Sequence, residues 1–234
     1  MQAIVLAGGL GTRLRGVVPD PPPPPDPPPP APFNIDDITD TYAAVAAFTH
    51  YLQWGPYNLH DPSIIKSGEY FYSYSTDAAF GTSVRAGIQV RKSKDLIQWH
   101  FAGWVFNSLP AQGAGFITQS GGVPNQSLWA PYVLKVGNEY RLYYSLASSK
   151  PRLSVIGLAT APSPEGPWTE KGLVVVSKDD NSIQTNAIDP SVVITPQGEH
   201  WLYYGSGWDG IYVLQLNSAT GLAAVSGDKG KRIA

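Results

Sequence analysis

Two aspartates that each precede a proline are the residues of this sequence whose type and setting could support catalysis. Asp61 and Asp189 both stand at the start of a short apolar stretch, and Ala130 takes the same place in a third stretch between them. An aspartate in this setting can simply cap a turn. Two carboxylates that converge on one site can instead divide acid–base work, because one can activate water while another assists proton transfer to a leaving group. The interpretation depends on whether the fold brings the two aspartates together.

The three stretches open three repeats of the same design. Each repeat has a short apolar strand, a hairpin turn containing glycine and an alternating aromatic strand, at 61–74, 130–144 and 189–204. A third strand is predicted at 87–90, 155–159 and 210–214, and a fourth at 99–105 and 168–176. Four-stranded units at this spacing predict the blades of a β-propeller, an all-β fold, whereas a sandwich would not repeat its first-strand motif three times. The first strand of a blade lies innermost, so both aspartates are expected to face one funnel.

The composition suits this fold and excludes several functions. The chain has 13 Tyr, 7 Trp and 24 Gly in 234 residues, which favours strands, tight turns and polar grooves over a helix bundle. Charged residues are 15% and the net charge is −2, so a nucleic-acid partner is not expected. The absence of cysteine excludes disulfides and thiolate sites, and no apolar run predicts a membrane helix. A helical pattern occurs only at 41–51.

The sequence divides into three segments. Residues 1–20 hold an apolar strand and the glycine-rich turn GGLGTRL, which resembles the opening of sugar-phosphate nucleotidyltransferases over about 18 residues. The lysine of that family's next motif is missing and no further nucleotide-binding units follow, so we interpret 1–20 as an orphan piece. Residues 21–32, which are almost all proline, predict a stiff polyproline II linker, with an SH3-type ligand as the alternative. Residues 33–234 form the partial propeller domain.

The propeller domain resembles family 43 glycoside hydrolases, particularly the arabinanases, from about residue 55 to residue 221. The matching motifs are HDPS at 60–63, SKDLIQW at 93–99, LWAP at 128–131, LYYS at 142–145, IGLAT at 156–160, GPW at 166–168, NAIDP at 186–190 and YGS at 204–206. The resemblance implies a five-bladed propeller, of which about three blades are present. It also implies inverting hydrolysis of α-1,5-linked L-arabinan, as in arabinan endo-1,5-α-L-arabinosidases.

The resemblance also assigns roles to individual residues. Asp61 would be the general base, and Asp189 would modulate the pKa of the general acid. The substrate-binding candidates lie on the loops and strand ends around these aspartates; they are Trp129, Ser149, Asn186, Ile188 and Ser206. Trp129 could equally be a core residue of the propeller.

Two departures from the family pattern affect the predicted activity. Many arabinanases have an aromatic residue after Ser-Ser in the loop that follows Tyr-Tyr-Ser, whereas this chain has Lys150 there. The family's general acid is a glutamate in a later blade, and the glutamates of this chain sit at hairpin turns or beside Pro167. We therefore expect a truncated chain that lacks the acid and is inactive as given. The alternatives are a non-catalytic propeller that binds pentose polymers, an arabinofuranosidase or xylosidase of the same family, and a nucleotidyltransferase fragment.

Cofactors, partners and location follow from the same resemblance. No cofactor is predicted; a calcium ion is found in some relatives, but Asp36, Asp37 and Asp40 lack calcium-loop spacing. The expected partner is arabinan or an arabino-oligosaccharide, with neither nucleic acid nor membrane, and open propeller faces could associate with each other. The family implies a secreted or periplasmic protein, although no signal peptide is recognised in the sequence.

Overall fold

Three antiparallel sheets of four strands each make up the part of the chain that the computed structural model describes, which is residues 59–80, 83–180 and 184–234. The first sheet has the order β1 (His60–Ser67), β2 (Tyr70–Thr76), β5 (Gln89–Ser93) and β6 (His100–Trp104). A short hairpin, β3 (Ala79–Phe80) and β4 (Ser83–Val84), leaves the sheet after β2.

The other two sheets follow in chain order. The second contains β7 (Trp129–Val136), β8 (Glu139–Ala147), β9 (Ser154–Ala161) and β10 (Thr169–Ser177). The third contains β11 (Ser191–Ile194), β12 (His200–Ser206), β13 (Gly210–Leu216) and β14 (Lys231–Arg232). The prediction of an all-β fold built from four-stranded units is confirmed. The orphan piece 1–20, the linker 21–32 and the helical pattern at 41–51 lie outside the described residues.

Two hydrophobic cores separate the sheets, because the middle sheet is buried on both faces. Tyr144 packs with Tyr74 of the first sheet in one core, while Tyr143 packs with Tyr204 of the third sheet in the other. Successive residues of a strand point to opposite faces, so the Tyr-Tyr pair serves both cores. Gly157 lies opposite Tyr144 in the ladder, and a Cβ atom there would overlap the Tyr144 ring.

The first strands of the sheets lie side by side. Strand β1 packs against β7, and β7 against β11. Ser63 Oγ accepts a hydrogen bond of 3.0 Å from the Val133 N–H, and the Tyr132 hydroxyl donates one of 2.9 Å to the Val192 carbonyl. This arrangement brings the start of each sheet to a common edge, which is where the two predicted catalytic aspartates stand.

One helix in the described residues was not predicted from the sequence. Helix α1 (Ala111–Gln119) includes Gly113 and Gly115, which are poor helix formers. Burial of Ile117 in the first core holds it, and the Glu170 carboxylate accepts hydrogen bonds from the first-turn N–H groups of Gln112 and Gly113 at 3.1 and 3.4 Å. Within the described ranges, no helix has the length and apolar character needed to cross a membrane.

Candidate active site

The residues at which the three sheets begin share one backbone irregularity at the common edge. Asp61, Ala130 and Asp189 have φ values of 46°, 36° and 56°. Left-handed φ is uncommon outside glycine and is tolerated best by aspartate and asparagine. In β1 and β7 it accompanies a break in the strand register, between His60 and Ser63 and between Trp129 and Tyr132. Such bulges re-aim side chains next to functional sites.

Hydroxyl groups link each irregularity to the neighbouring sheet. The Thr76 hydroxyl accepts a hydrogen bond from the Ala130 N–H at 2.7 Å and donates one to Asp61 Oδ2 at 2.7 Å. Ser145 occupies the same place in the second sheet and accepts a hydrogen bond of 3.0 Å from the Asp189 N–H. The end of each second strand therefore fixes the left-handed residue of the next sheet, and Thr76 also holds the Asp61 carboxylate.

Asp61 and Asp189 stand at the starts of the first and third sheets, near enough for the charge of Asp61 to act on Asp189. Burial of the carboxyl group raises the pKa of Asp189, and the negative charge of Asp61 raises it further. The Asp189 residue as a whole is nevertheless exposed to solvent. A nearby carboxylate disfavours ionisation, so the neutral form of Asp189 persists to higher pH than that of an isolated aspartate.

A groove of about 190 Å³ gathers several of the predicted binding residues. Trp129, Ser149 and Asn186 line it together with the loop 150–154 and Trp208. Trp129 is half-buried, belongs to neither core, and donates from its indole N–H to Ser127 Oγ at 2.8 Å. Asn186 Oδ1 is buried without a hydrogen-bond partner among the described residues, so it can accept from a ligand.

The remaining two predicted binding residues lie next to Asn186. Ser206 Oγ accepts hydrogen bonds from the N–H groups of Asn186 and Trp208, both at 3.4 Å. The Ile188 carbonyl accepts one from the Gly205 N–H at 3.0 Å, which joins the segment that precedes Asp189 to the end of β12. Asn186, Ile188 and Ser206 therefore form one cluster beside the candidate aspartate.

All five glutamates of the sequence have contacts away from the groove. Their partners are Lys94 for Glu69, Arg141 for Glu139, Lys92 and Tyr72 for Glu165, Tyr144 and the start of α1 for Glu170, and Trp201 for Glu199. None of these side chains is placed to protonate a glycosidic oxygen at the groove.

A metal ion finds no ligand set in this part of the molecule. No three His, Asp or Glu side chains of the described residues lie close enough together to hold one. The family-type calcium ion stays an expectation from the resemblance, and no catalytic step is derived through it.

Sequence reasoning missed Asp77, which binds the backbone next to the groove residue Trp129. Its carboxylate is buried and accepts hydrogen bonds from the N–H groups of Gly87, Ile88 and Leu128 at 2.9, 2.7 and 2.7 Å. The Asp77 N–H also donates to the Leu128 carbonyl at 2.9 Å. Asp77 thus fixes the residue before Trp129. Burial raises the pKa of Asp77 to about 6, although these hydrogen bonds and the charge of Arg85 oppose the shift.

Comparison with known proteins places this site in a family. The model of the glycosyl hydrolases family 43 matches residues 55–231. The chain is 35% identical over 185 residues to an extracellular endo-α-(1→5)-L-arabinanase 1 of Bacillus subtilis, covering 78% of this chain and 53% of that protein. It is 36% identical over 165 residues to a probable arabinan endo-1,5-α-L-arabinosidase A of Aspergillus flavus, covering 70% and 46%.

Solved structures agree with the sequence relatives. The native arabinanase Arb43A of Bacillus subtilis superposes with a TM-score of 0.63 at 32% identity, over 72% of this chain and 55% of that chain. The endo-arabinanase of Bacillus licheniformis gives 0.63 at 34% identity, over 74% and 56%. This chain spans about half the length of the curated relatives it matches. With more than half of its residues matched by the family model, the chain belongs to the glycosyl hydrolases family 43.

Proposed function

We propose that this chain forms the base-bearing part of an inverting hydrolase of α-1,5-linked L-arabinan. The observation that carries the proposal is the left-handed placement of Asp61 and Asp189 at the starts of the first and third sheets, with Asn186, close before Asp189 in the chain, in a groove walled by Trp129. Relatives at 31–36% identity are named as arabinanases acting on the α-1,5 linkage. One related structure is titled as a complex with arabinohexaose, which makes that oligosaccharide a suitable probe.

In this proposal Asp61 removes a proton from the attacking water. Its carboxylate is held by the Thr76 hydroxyl at 2.7 Å, which leaves the second carboxylate oxygen for the water. An inverting enzyme needs such a base on one face of the sugar and an acid on the other. Asp189 acts as the positioning residue that raises the pKa of the acid through its charge.

The proposal places the general acid outside this chain. Because each glutamate here is engaged elsewhere, the chain by itself should bind arabino-oligosaccharide without cleaving it. The full catalytic unit would then be a five-bladed ring, in which further blades bring the acid. A non-catalytic propeller that binds pentose polymers is the second candidate function. The contacts that hold all five glutamates away from the groove support this candidate as much as the first.

The proposed function extends to the location of the protein and to its self-association. Relatives from Bacillus subtilis and Thermotoga petrophila are named extracellular, which supports a secreted protein. The outward face of the third sheet carries several apolar side chains beside the polar residues Gln215 and Lys231. Val193 and Ile211 are 46% and 38% exposed there, and strand register places Trp201, Tyr203 and Val213 on the same face. We propose that two copies of the chain associate through this face.

A binding and turnover experiment tests the proposed function. The whole chain is titrated with arabinohexaose in a calorimeter and assayed on linear arabinan, with xylohexaose as the control ligand. Binding of arabinohexaose without turnover is expected. Absence of binding would overturn the proposal. Turnover that disappears in Asp61→Asn would confirm the base and show that a carboxylate of this chain serves as the acid.

A further inference from the structure

Two consecutive residues of the first sheet hold the backbone on both sides of Trp129. The Leu128 N–H donates to Asp77 Oδ2 and the Ala130 N–H donates to the Thr76 hydroxyl, each at 2.7 Å. The Leu128 carbonyl in turn accepts the Asp77 N–H at 2.9 Å. Trp129 itself is half-buried and belongs to neither hydrophobic core. Contacts of the flanking backbone therefore set where its indole stands in the groove wall.

The Asp77 carboxylate joins this backbone to an anchored segment of the first sheet. Its Oδ2 accepts the Gly87 N–H at 2.9 Å as well as the Leu128 N–H, and its Oδ1 accepts the Ile88 N–H at 2.7 Å. Ile88 is fully buried in the first core, which fixes that segment in place. The carboxylate is therefore a bridge with one end anchored in the core and the other end on the groove wall.

The bridge is complete only while the Asp77 carboxyl group is ionised. A proton on Oδ2 would compete with the two N–H donors at the wall end, and a proton on Oδ1 would weaken the acceptor that faces Ile88. Arg85 is the charged side chain that acts on Asp77 within the described residues, and its charge favours ionisation. Burial opposes ionisation more strongly and raises the pKa of Asp77 to about 6. The bridge should therefore be complete at pH 7 and weakened at pH 5.

We propose that Asp77 is a positioning residue whose ionised carboxylate locks the Trp129 wall of the groove, so that protonation of Asp77 loosens the wall and weakens the binding of a neutral oligosaccharide. A wall that is held in place before the ligand arrives spares the free energy of ordering it on binding. The groove thereby becomes sensitive to pH through a buried group other than the two candidate aspartates. The binding part of this inference rests on the proposed function, because it takes arabino-oligosaccharide as the ligand.

Fluorine NMR of the full chain labelled with 5-fluorotryptophan tests the positioning without any ligand. Trp129→Phe identifies the Trp129 resonance among those of the seven tryptophans. In the wild type this resonance should shift between pH 7 and pH 5, with the same midpoint as the Asp77 carboxyl carbon followed by NMR. In Asp77→Asn it should not titrate in this range, because the amide stays neutral and offers one acceptor oxygen in place of two.

Asp95→Asn is the matched control for this titration. The Asp95 carboxylate also accepts backbone N–H groups, those of Ile97 and Gln98 at 2.9 and 2.8 Å, but on a turn outside the groove. The Trp129 resonance of this variant should titrate as it does in the wild type. The comparison of midpoints within the wild type needs no variant, so it decides the question even where Asp77→Asn fails to fold.

Calorimetric titration with arabinohexaose measures the consequence for binding. Wild-type affinity should fall about fivefold from pH 7 to pH 5, because only part of the population then has the wall in place. Asp77→Asn should bind about as weakly at pH 7 as the wild type does at pH 5, and Asp95→Asn should follow the wild type at both pH values.

The outcomes separate this inference from the proposed function. A Trp129 resonance that does not follow the Asp77 titration, or that still titrates in Asp77→Asn, would overturn the inference and leave the proposed function standing. An equal loss of affinity at pH 5 in the wild type and in Asp77→Asn would overturn it as well. If the wild type does not bind arabinohexaose at pH 7, the proposed function fails, and the fluorine titration still decides whether Asp77 positions Trp129.

Discussion

The Thr76 hydroxyl donates a 2.7 Å hydrogen bond to the Asp61 carboxylate while it accepts the backbone N–H of Ala130, also at 2.7 Å. One side chain thereby holds the candidate base of the first sheet and the start of the second sheet. Ser145 makes the equivalent link to Asp189 in the third sheet. The geometry of the candidate aspartates is therefore set by contacts between sheets as well as within them.

Removing the Thr76 hydroxyl should destabilise the protein. Thr76→Val leaves the Ala130 N–H without its acceptor and the Asp61 carboxylate without its donor, which costs about 1–3 kcal/mol of unfolding free energy. Thr76→Ser keeps the hydroxyl and should lie close to the wild type. Urea unfolding measures both variants. Equal stability of Thr76→Val and the wild type would show that water replaces these hydrogen bonds.

Neutralising Asp61 should lower the pKa of Asp189. Burial is the larger cause of the raised pKa of Asp189 and Asp61 is the smaller one, so Asp61→Asn should bring the pKa down only part of the way. The amide oxygen can still accept the Thr76 hydroxyl, which keeps the local geometry. Carboxyl carbon NMR titration follows Asp189 directly. Asp95→Asn, on a distant turn of the first sheet, is the control and should leave that pKa unchanged.

Asp77 should give the protein a distinctive dependence of stability on pH. Its folded pKa, about 6, lies above the ordinary value of 3.8. A raised folded pKa contributes stability below pH 3.8 that is lost as pH rises through 6, and the limit of this contribution is about 3 kcal/mol. The difference in unfolding free energy between the wild type and Asp77→Asn should therefore change across pH 4–7.

Denaturant unfolding at several pH values checks this prediction. The variant has no titrating group at position 77, so the other carboxylates cancel in the comparison. A constant difference between the two proteins from pH 4 to pH 7 would mean that Asp77 is ionised throughout, with its three N–H donors outweighing burial.

The outward face of the third sheet should make the chain associate. Light scattering of the chain is expected to give a mass above the 25.2 kDa of one copy. Charged residues at the two most exposed positions, in the double variant Val193→Lys and Ile211→Lys, should lower that mass because a buried unpaired charge disfavours the interface. Ile97→Lys alters an exposed apolar residue elsewhere and should leave the mass unchanged. A wild-type chain that is monomeric at high concentration would contradict the prediction.

The local sequence pattern determined most of the sheet architecture. Alternating apolar residues and glycine turns are short-range features, so the strands of all three repeats were predicted to within a few residues, and Asp61 and Asp189 stood out at equivalent places. Trp129 and Asn186 were predicted as binding residues, and both line the groove. Strand β14 was missed because Lys231–Arg232 is too short and too polar to show a pattern.

Tertiary structure decided the contacts that complete the site. Asp77 accepts the backbone N–H of Leu128, 51 residues away, and Thr76 accepts that of Ala130, 54 residues away. Glu170 accepts the backbone N–H of Gln112 in the first turn of α1, 58 residues before it. A local sequence pattern cannot predict these pairs, because the partners meet only when neighbouring sheets pack together. Trp208 is likewise an ordinary turn residue in the sequence. Only the folding of the turn after β12 places it in the same groove as Trp129.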